Sequence, residues 1–482
     1  MPLKYKINHR PNHETREMQA KTLYDKIVDA HTIKILDSAF DERLVFIDRT
    51  VINEYTSPQA FTLLRENNRS IRHPRAVLGT IDHVNSSAPD RDLFPSEENA
   101  CRQVRYLIKN GKDFGFDVYN VDHASQGIEH VVMCEEGRVL PGMLIGAGDS
   151  HTAMYGALGC VGYGIGTSDI YHYMATSTLR YKKLKNMAVR LKGLPSKEVS
   201  PKDLILFVVR ALGAGGCSGY CAEFFGEAIE ALSVEGRLTF CNMAVECGAR
   251  SSLIAPDDKT IEFLKACPKA PQGAFWGKAL AYWRTLQSDK GAFFDKEIEI
   301  DVSAARPMVT WGTSPDQSVC VDEKVPSIET AEESARCEQA RALCYMGFKG
   351  GEKLSEIPIT HAFIGSCTNS RMEDIREAAQ ELKGRKIASG VTAWLVPGSM
   401  RVWKQAESEG LLKIFEEAGW DIRKPGCSLC LAMNGDILGE HDRCISATNR
   451  NFEGRQGVGT RTHLASPRTV AKASVSGFLG ED

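Results

Sequence analysis

Short apolar runs recur along this 482-residue chain and alternate with amphipathic stretches. Residues 44–48 (LVFID), 75–79 (RAVLG), 144–146 (LIG) and 361–365 (HAFIG) are compact apolar segments, the pattern of buried strands. Between them, 100–109 (ACRQVRYLIK) and 372–379 (MEDIREAA) space their apolar residues three and four apart, which predicts helices with one buried face. Strand–loop–helix alternation predicts an α/β fold with parallel sheets. In such folds ligands sit at the carboxyl ends of strands. Two polar stretches, 195–201 and 323–339, read as linkers. They divide the chain into segments 22–200, 201–325 and 326–482, each an expected α/β domain, behind an extension at 1–21.

Composition narrows the function classes. Hydrophobic residues are 43% and charged residues 25% of the chain, ordinary for a soluble globular protein. A net charge of -3 gives no global basic field for nucleic acid or membrane binding. No stretch approaches the ~20 apolar residues of a membrane helix. The first twenty residues are polar, lack an apolar signal core, and carry Glu14 and Glu17, which weigh against a transit peptide. A disordered lead-in is expected there. The 15 cysteines are odd in number and irregularly spaced, unlike a secreted disulfide scaffold. A reducing cytoplasm is expected, where cysteine pairs mean metal or catalysis and most other cysteines are small buried hydrophobes.

Three cysteines stand apart. Gly365-Ser-Cys-Thr-Asn-Ser-Arg371 follows an apolar strand and puts Cys367 on a strand-to-helix loop. Pro425-Gly-Cys-Ser-Leu-Cys-Leu431 holds Cys427 and Cys430 two residues apart, so both sulfurs can converge on one centre. Spacing alone leaves a thioredoxin-like redox pair, a zinc half-site and an iron–sulfur site all open. No second C-x2-C completes a four-cysteine zinc site. Three thiolates, unlike four, leave one iron with an open position that can polarise a substrate hydroxyl and carboxylate.

Taken together, GSCTNSR at 365–371, PGCSLC at 425–430, NRNFEGRQ at 449–456 and GDSHT at 148–152 resemble the aconitase superfamily. Within it the chain is similar to the large subunits of 3-isopropylmalate dehydratases, a likeness carried also by residues 22–26, 56–61, 282–287 and 309–313. The resemblance runs from about Thr22 to Gly480. It implies three α/β/α domains around a central cleft. It also implies one 4Fe-4S cluster on Cys367, Cys427 and Cys430, with one labile iron. The family's fourth, swivelling domain is absent here, so a separate small subunit is expected to supply it, with the serine base that takes the substrate's proton. The implied reaction interconverts 2- and 3-isopropylmalate by dehydration and rehydration, in leucine biosynthesis. A related 2-alkylmalate or other hydroxy-dicarboxylic acid (citramalate, dimethylmalate, homoaconitate type) is the alternative substrate.

The resemblance also distributes roles. His83, in Thr80-Ile-Asp-His83, is implied as the acid that protonates the departing hydroxyl, paired with Asp82; on its own it is as readily a loop histidine capped by its neighbour. Asp149 with His130, and His151, are the second carboxylate–imidazole candidates, although an aspartate cap in a tight turn is common. Ser150 is implied to face a substrate carboxylate. Asn242 and Glu246, four apart, share one face of a helix; they are implied to line the cluster pocket, where without the family Glu246 is a surface charge. Arg450 and Arg455 offer guanidinium forks for the substrate's carboxylates, and Asn449 lies near the cluster. Such arginines are often solvated, but Phe452 and Gly454 between them indicate a constrained loop.

Three positions depart from the pattern. Asn53, Tyr155 and Tyr220 stand where histidines are usual, and Ser399-Met-Arg-Val replaces a more usual Ser-Gly-Pro-Val. These changes alter pocket polarity and volume, and bear either on drift at constant activity or on a changed substrate. Two rival classes remain to be weighed. An RNA-binding regulator lacks the basic, aromatic-rich stripe it needs, and an electron carrier needs a fourth thiolate, for which Cys444 is the nearest candidate.

Overall fold

The structure is a computed structural model that describes residues 4–8, 20–330 and 333–481. Most of the predicted extension at 1–21, including Glu14 and Glu17, lies outside the described residues. Helices and strands alternate along the chain, as the apolar periodicity predicts.

Three large buried hydrophobic clusters underlie the described residues, with two small ones beside them. The first forms around a parallel sheet of Thr50–Asn53, Val77–Thr80 and Asp117–Tyr119, with Val77–Thr80 central. A second parallel pair, Leu144–Ala147 with Val161–Gly164, joins it through a bridge between Arg49 and Ile145. The all-buried Val77–Thr80 and Leu144–Ala147 explain their continuous apolar runs. Each fully buried Val, Leu or Ile here contributes about 1.5–3 kcal/mol.

Around the second core a five-stranded sheet runs in the order Lys4–Ile7, Lys296–Asp301, Lys185–Lys192, Tyr220–Phe225, Ser251–Leu253. Lys185–Lys192 precedes the linker at 195–201, yet it pairs with two strands that follow it. The third core surrounds an all-parallel sheet ordered Asp421–Ile422, Thr392–Leu395, His361–Ile364, Arg443–Ser446, Arg461–Leu464.

Two elements differ from expectation. The apolar run at 44–48 belongs to Glu42–Phe46, which is antiparallel to both neighbours and alternates buried and half-exposed positions, so it covers one face rather than two. Lys4–Ile7, within the expected lead-in, adds an antiparallel edge strand to Lys296–Asp301. Its pairing is made by backbone and polar side chains, Lys6 and Asn8 both reaching Glu297, which leaves no apolar signature in the sequence. No helix among the described residues is long and apolar enough to cross a membrane.

Candidate active site

Strand Val77–Thr80 ends in a polar loop that delivers Asp82 and His83. The loop is fixed by Glu54, fully buried, whose carboxylate accepts from the backbone N–H of His83 and Val84 at 2.7 Å and of Asp82 at 3.3 Å. His83 Nδ1 donates to Asp82 Oδ1 at 2.7 Å, and Asp82 Oδ2 accepts from the N–H of Glu129 at 2.8 Å. With Nδ1 committed, Nε2 is the nitrogen left for chemistry. Burial works against a charge on His83, but Cys427 and Asp82 outweigh it and hold its pKa well above the usual histidine value.

A second array starts where Leu144–Ala147 ends. Asp149 caps the turn Ser150–Leu158, accepting from the His151 N–H, and the same carboxylate accepts from His130 Nε2 at 3.1 Å. It is therefore a helix cap and an imidazole partner at once. His130 Nδ1 is left to accept from the Tyr155 hydroxyl at 2.8 Å. His151 has a carboxylate at each nitrogen, Asp149 at 3.4 Å and Glu246 at 3.2 Å. Burial opposes its charge, yet those two partners raise its pKa. Reciprocally, hydrogen bonds from His130 and His151 overcome burial and hold Asp149 well below the usual carboxylate range. Glu246 is lowered against burial by His151 and Arg450, whose Nε donates to it at 2.9 Å.

The third sheet supplies the thiols. Cys367 follows His361–Ile364, and Cys427 and Cys430 follow Asp421–Ile422. Both loops turn through the left-handed region beside a cysteine, at Ser366 (φ 83) and Ser428 (φ 46), each costing about 1–3 kcal/mol of backbone strain. The Cys427 N–H donates to Asp82 O at 2.7 Å, locking the cysteine loop onto the histidine loop. Asn242 Nδ2 donates to Cys367 Sγ at 3.2 Å and Asn449 Nδ2 at 3.5 Å, while Arg455 Nη2 reaches Cys430 Sγ at 3.8 Å. All three sulfurs line one cavity of about 50 Å³, with Asp82, His83, Glu129, His130, Asp149 and His151 on its other walls.

This donor set suits a polynuclear centre. Burial and the neighbouring Cys430 push the Cys367 thiol well up, and burial pushes Cys427 up to about 12. Such thiols ionise only against a bound cation, while Asn242, Asn449 and Arg455 already point N–H donors at the sulfurs. A single tetrahedral ion with bonds of about 2.3 Å holds its sulfurs roughly 3.8 Å apart. Among the described residues the triads whose donor atoms all lie within 4.8 Å are Asp82–His83–Cys427 and His83–Glu129–Asp149. The three cysteines are not among these triads.

Not every expected residue lines this cavity. Ser150 is exposed and lines an adjoining cavity of about 350 Å³. Asn242 meets the site through its bond to Cys367, Glu246 through His151, and Arg450 through Glu246. Of the three departures, Asn53 and Tyr155 touch site residues, Asn53 Nδ2 donating to Glu129 Oε2 at 3.1 Å. Tyr220 opens strand Tyr220–Phe225, with the Lys296 ammonium 5.9 Å from its ring centre.

The structure also brings forward residues the sequence did not single out. Glu54 pins the histidine loop. Glu129, 1% exposed, has one oxygen without a hydrogen-bond partner. Lys202, fully buried at the start of helix Pro201–Leu212, donates to Asn369 Oδ1, Ala447 O and Thr448 O at 3.2, 3.0 and 2.5 Å. It thereby ties the Cys367 loop to the Asn449 loop. Burial lowers its pKa to about 7. Glu129 directly precedes the expected His130 and so stands beside a legible position; a lone lysine after Ser200-Pro201 carries no such signal.

Imidazoles backed by carboxylates, guanidiniums beside them and thiols opposite are the equipment of a hydro-lyase, which moves one proton and one hydroxyl on an anionic substrate. Comparison with known proteins makes the assignment specific: the sequence model of the Aconitase family (aconitate hydratase) matches residues 25–477, and the chain belongs to that family. It is 54% identical to the 3-isopropylmalate dehydratase large subunit 1 of Mannheimia succiniciproducens, over 95% of this chain and 97% of that one. It is 52% identical to the large subunit 2 of the same-named enzyme in Salmonella choleraesuis and in Salmonella typhimurium, over 96% of this chain and 98% of each. The solved structure of Thermococcus kodakaraensis aconitase X in its holo-form covers 91% of this chain at 10% identity and a TM-score of 0.46. Family membership implies an iron–sulfur cluster.

Proposed function

We propose that this chain is the large subunit of a two-chain hydro-lyase that interconverts 2- and 3-isopropylmalate by dehydration and rehydration. The observation that carries the proposal is the convergence of Cys367, Cys427 and Cys430 with His83, His130 and Asp149 on one cavity. Near-full-length identity to 3-isopropylmalate dehydratase large subunits supports the substrate. Those names also support a separate small subunit as partner. The fifteen free thiols support a reducing, cytoplasmic setting.

Cys367, Cys427 and Cys430 would hold a 4Fe-4S cluster whose one iron without a cysteine ligand supplies Lewis acidity toward the substrate hydroxyl and carboxylate. Arg450 and Arg455 bind and orient the substrate's carboxylates. His83, kept protonated by Asp82, gives its proton to the departing hydroxyl and takes one back from water in the return reaction. His151, held between Asp149 and Glu246, keeps a positive charge beside the anionic substrate, and Asp149 orients His130. The proton next to the carboxylate goes to a base on the small subunit.

A second substrate reading rests on one observation. Glu129 and His130 line the cavity and Asn53 and Tyr155 bond to them from behind, so the surroundings of His130 are polar where a purely alkyl substituent prefers apolar contact. That favours a smaller or more polar relative such as citramalate or dimethylmalate. The test is to reconstitute the cluster, add the small subunit and compare 2- and 3-isopropylmalate, citramalate and dimethylmalate. Isopropylmalate turnover with the highest kcat/KM is expected; turnover of another acid alone would replace the substrate, and no turnover of any would overturn the reaction.

A further inference from the structure

Glu129 is a buried carboxyl in the reaction cavity to which the chemistry above gives no task. Its backbone N–H is held by Asp82, and one carboxylate oxygen accepts from Asn53. The other oxygen, Oε1, is buried and without a hydrogen-bond partner, 3.7 Å from His130 Nε2. One oxygen of Glu129, one nitrogen of His83 and one oxygen of Asp149 lie mutually within 4.8 Å. Some point then lies no more than about 2.8 Å from all three atoms, within hydrogen-bond reach of a single oxygen. All three residues line the same cavity as the three cysteines.

We propose that Glu129 is a further catalytic residue, which with His83 and Asp149 seats the one oxygen that leaves as hydroxyl and returns as water. The inference rests on the dehydration reading above. In dehydration the C–O electron pair stays with that oxygen, His83 supplies the proton that makes it water, and the C–H pair becomes the new double bond as the base on the small subunit takes the carbon's proton. Glu129 makes and breaks no covalent bond. It holds the oxygen against diffusion, so that rehydration occurs from a fixed position.

The test uses the cluster-loaded complex with its small subunit and follows hydration of 2-isopropylmaleate, dimethylmaleate and citraconate. Glu129→Leu is expected to lower kcat about 100-fold. KM for the alkene is expected to stay within about threefold, because Glu129 touches water and not the carboxylates, and the cluster's visible and EPR spectra to stay unchanged. Glu129→Gln, whose amide still reaches the oxygen, is expected to recover at least about tenfold over leucine. Equal rates for the two variants, or both within about threefold of the parent, would overturn the proposal. Failure of the unsubstituted complex on all three alkenes would overturn the reaction reading alone. Glu129 would then be judged by a crystal structure of the loaded complex. One solvent oxygen within hydrogen-bond distance of Glu129, His83 and Asp149 is expected there, and its absence overturns the seat.

Discussion

Arg450 shows how one side chain serves both order and binding. Its Nε is spent on Glu246, leaving the rest of the guanidinium fork for an incoming carboxylate. Arg450→Lys keeps the charge but loses the fork, so kcat/KM should fall about 10- to 100-fold, mostly through KM. Steady-state kinetics on the loaded complex checks this. Asp149 makes a prediction in pH. Its folded pKa lies well below the unfolded value, so its contribution to stability is present above about pH 4 and is lost as the pH falls through the folded pKa. Asp149→Asn should therefore destabilise the chain near neutral pH by an amount that shrinks at pH 3.5; urea unfolding of both proteins at the two pH values decides. Cys367→Ser should abolish the visible cluster absorption and lower bound iron while the circular dichroism of the chain is retained. Iron retained at the parent level would remove Cys367 from the ligand set.

At the scale of elements, the site is assembled by strand ends, and helix Pro201–Leu212 braces it. Lys202 on that helix satisfies two backbone carbonyls and a side-chain amide from loops far along the chain. Lys202→Met leaves these acceptors buried and unpaired, a loss on the order of 3 kcal/mol, read as a lower urea midpoint. Hydrogen exchange should rise in the loops around residues 367–371 and 447–449, and unchanged protection there would reject the bracing role. Legibility in the sequence followed the same division. Runs 75–79 and 361–365 announced their strands because both faces are buried, and the cysteine and histidine loops followed at their carboxyl ends. Glu42–Phe46 was misjudged because an apolar run of that length does not reveal whether one face or two are covered. Glu54 and Lys202 were illegible for another reason: a charged residue declares its burial only through partners that folding brings from elsewhere.

For the whole molecule, the proposed function makes activity a property of two chains. The large subunit alone, cluster-loaded, should show visible absorption but no turnover, and titration with the small subunit should restore turnover to a stoichiometric end point. Turnover by the isolated chain would show that the base resides here.

The thiol of Cys367 comes from the third core, the amide of Asn242 that meets it from the second, and Asp82, whose carbonyl receives the Cys427 N–H, from the first. The pocket is thus a keystone position, existing only while loops from all three cores meet. Whatever fills it binds the assembled chain and not a partly assembled one, so filling the pocket and joining those loops are a single linked equilibrium. Emptying it would then loosen the loops where they meet before it unfolds any core.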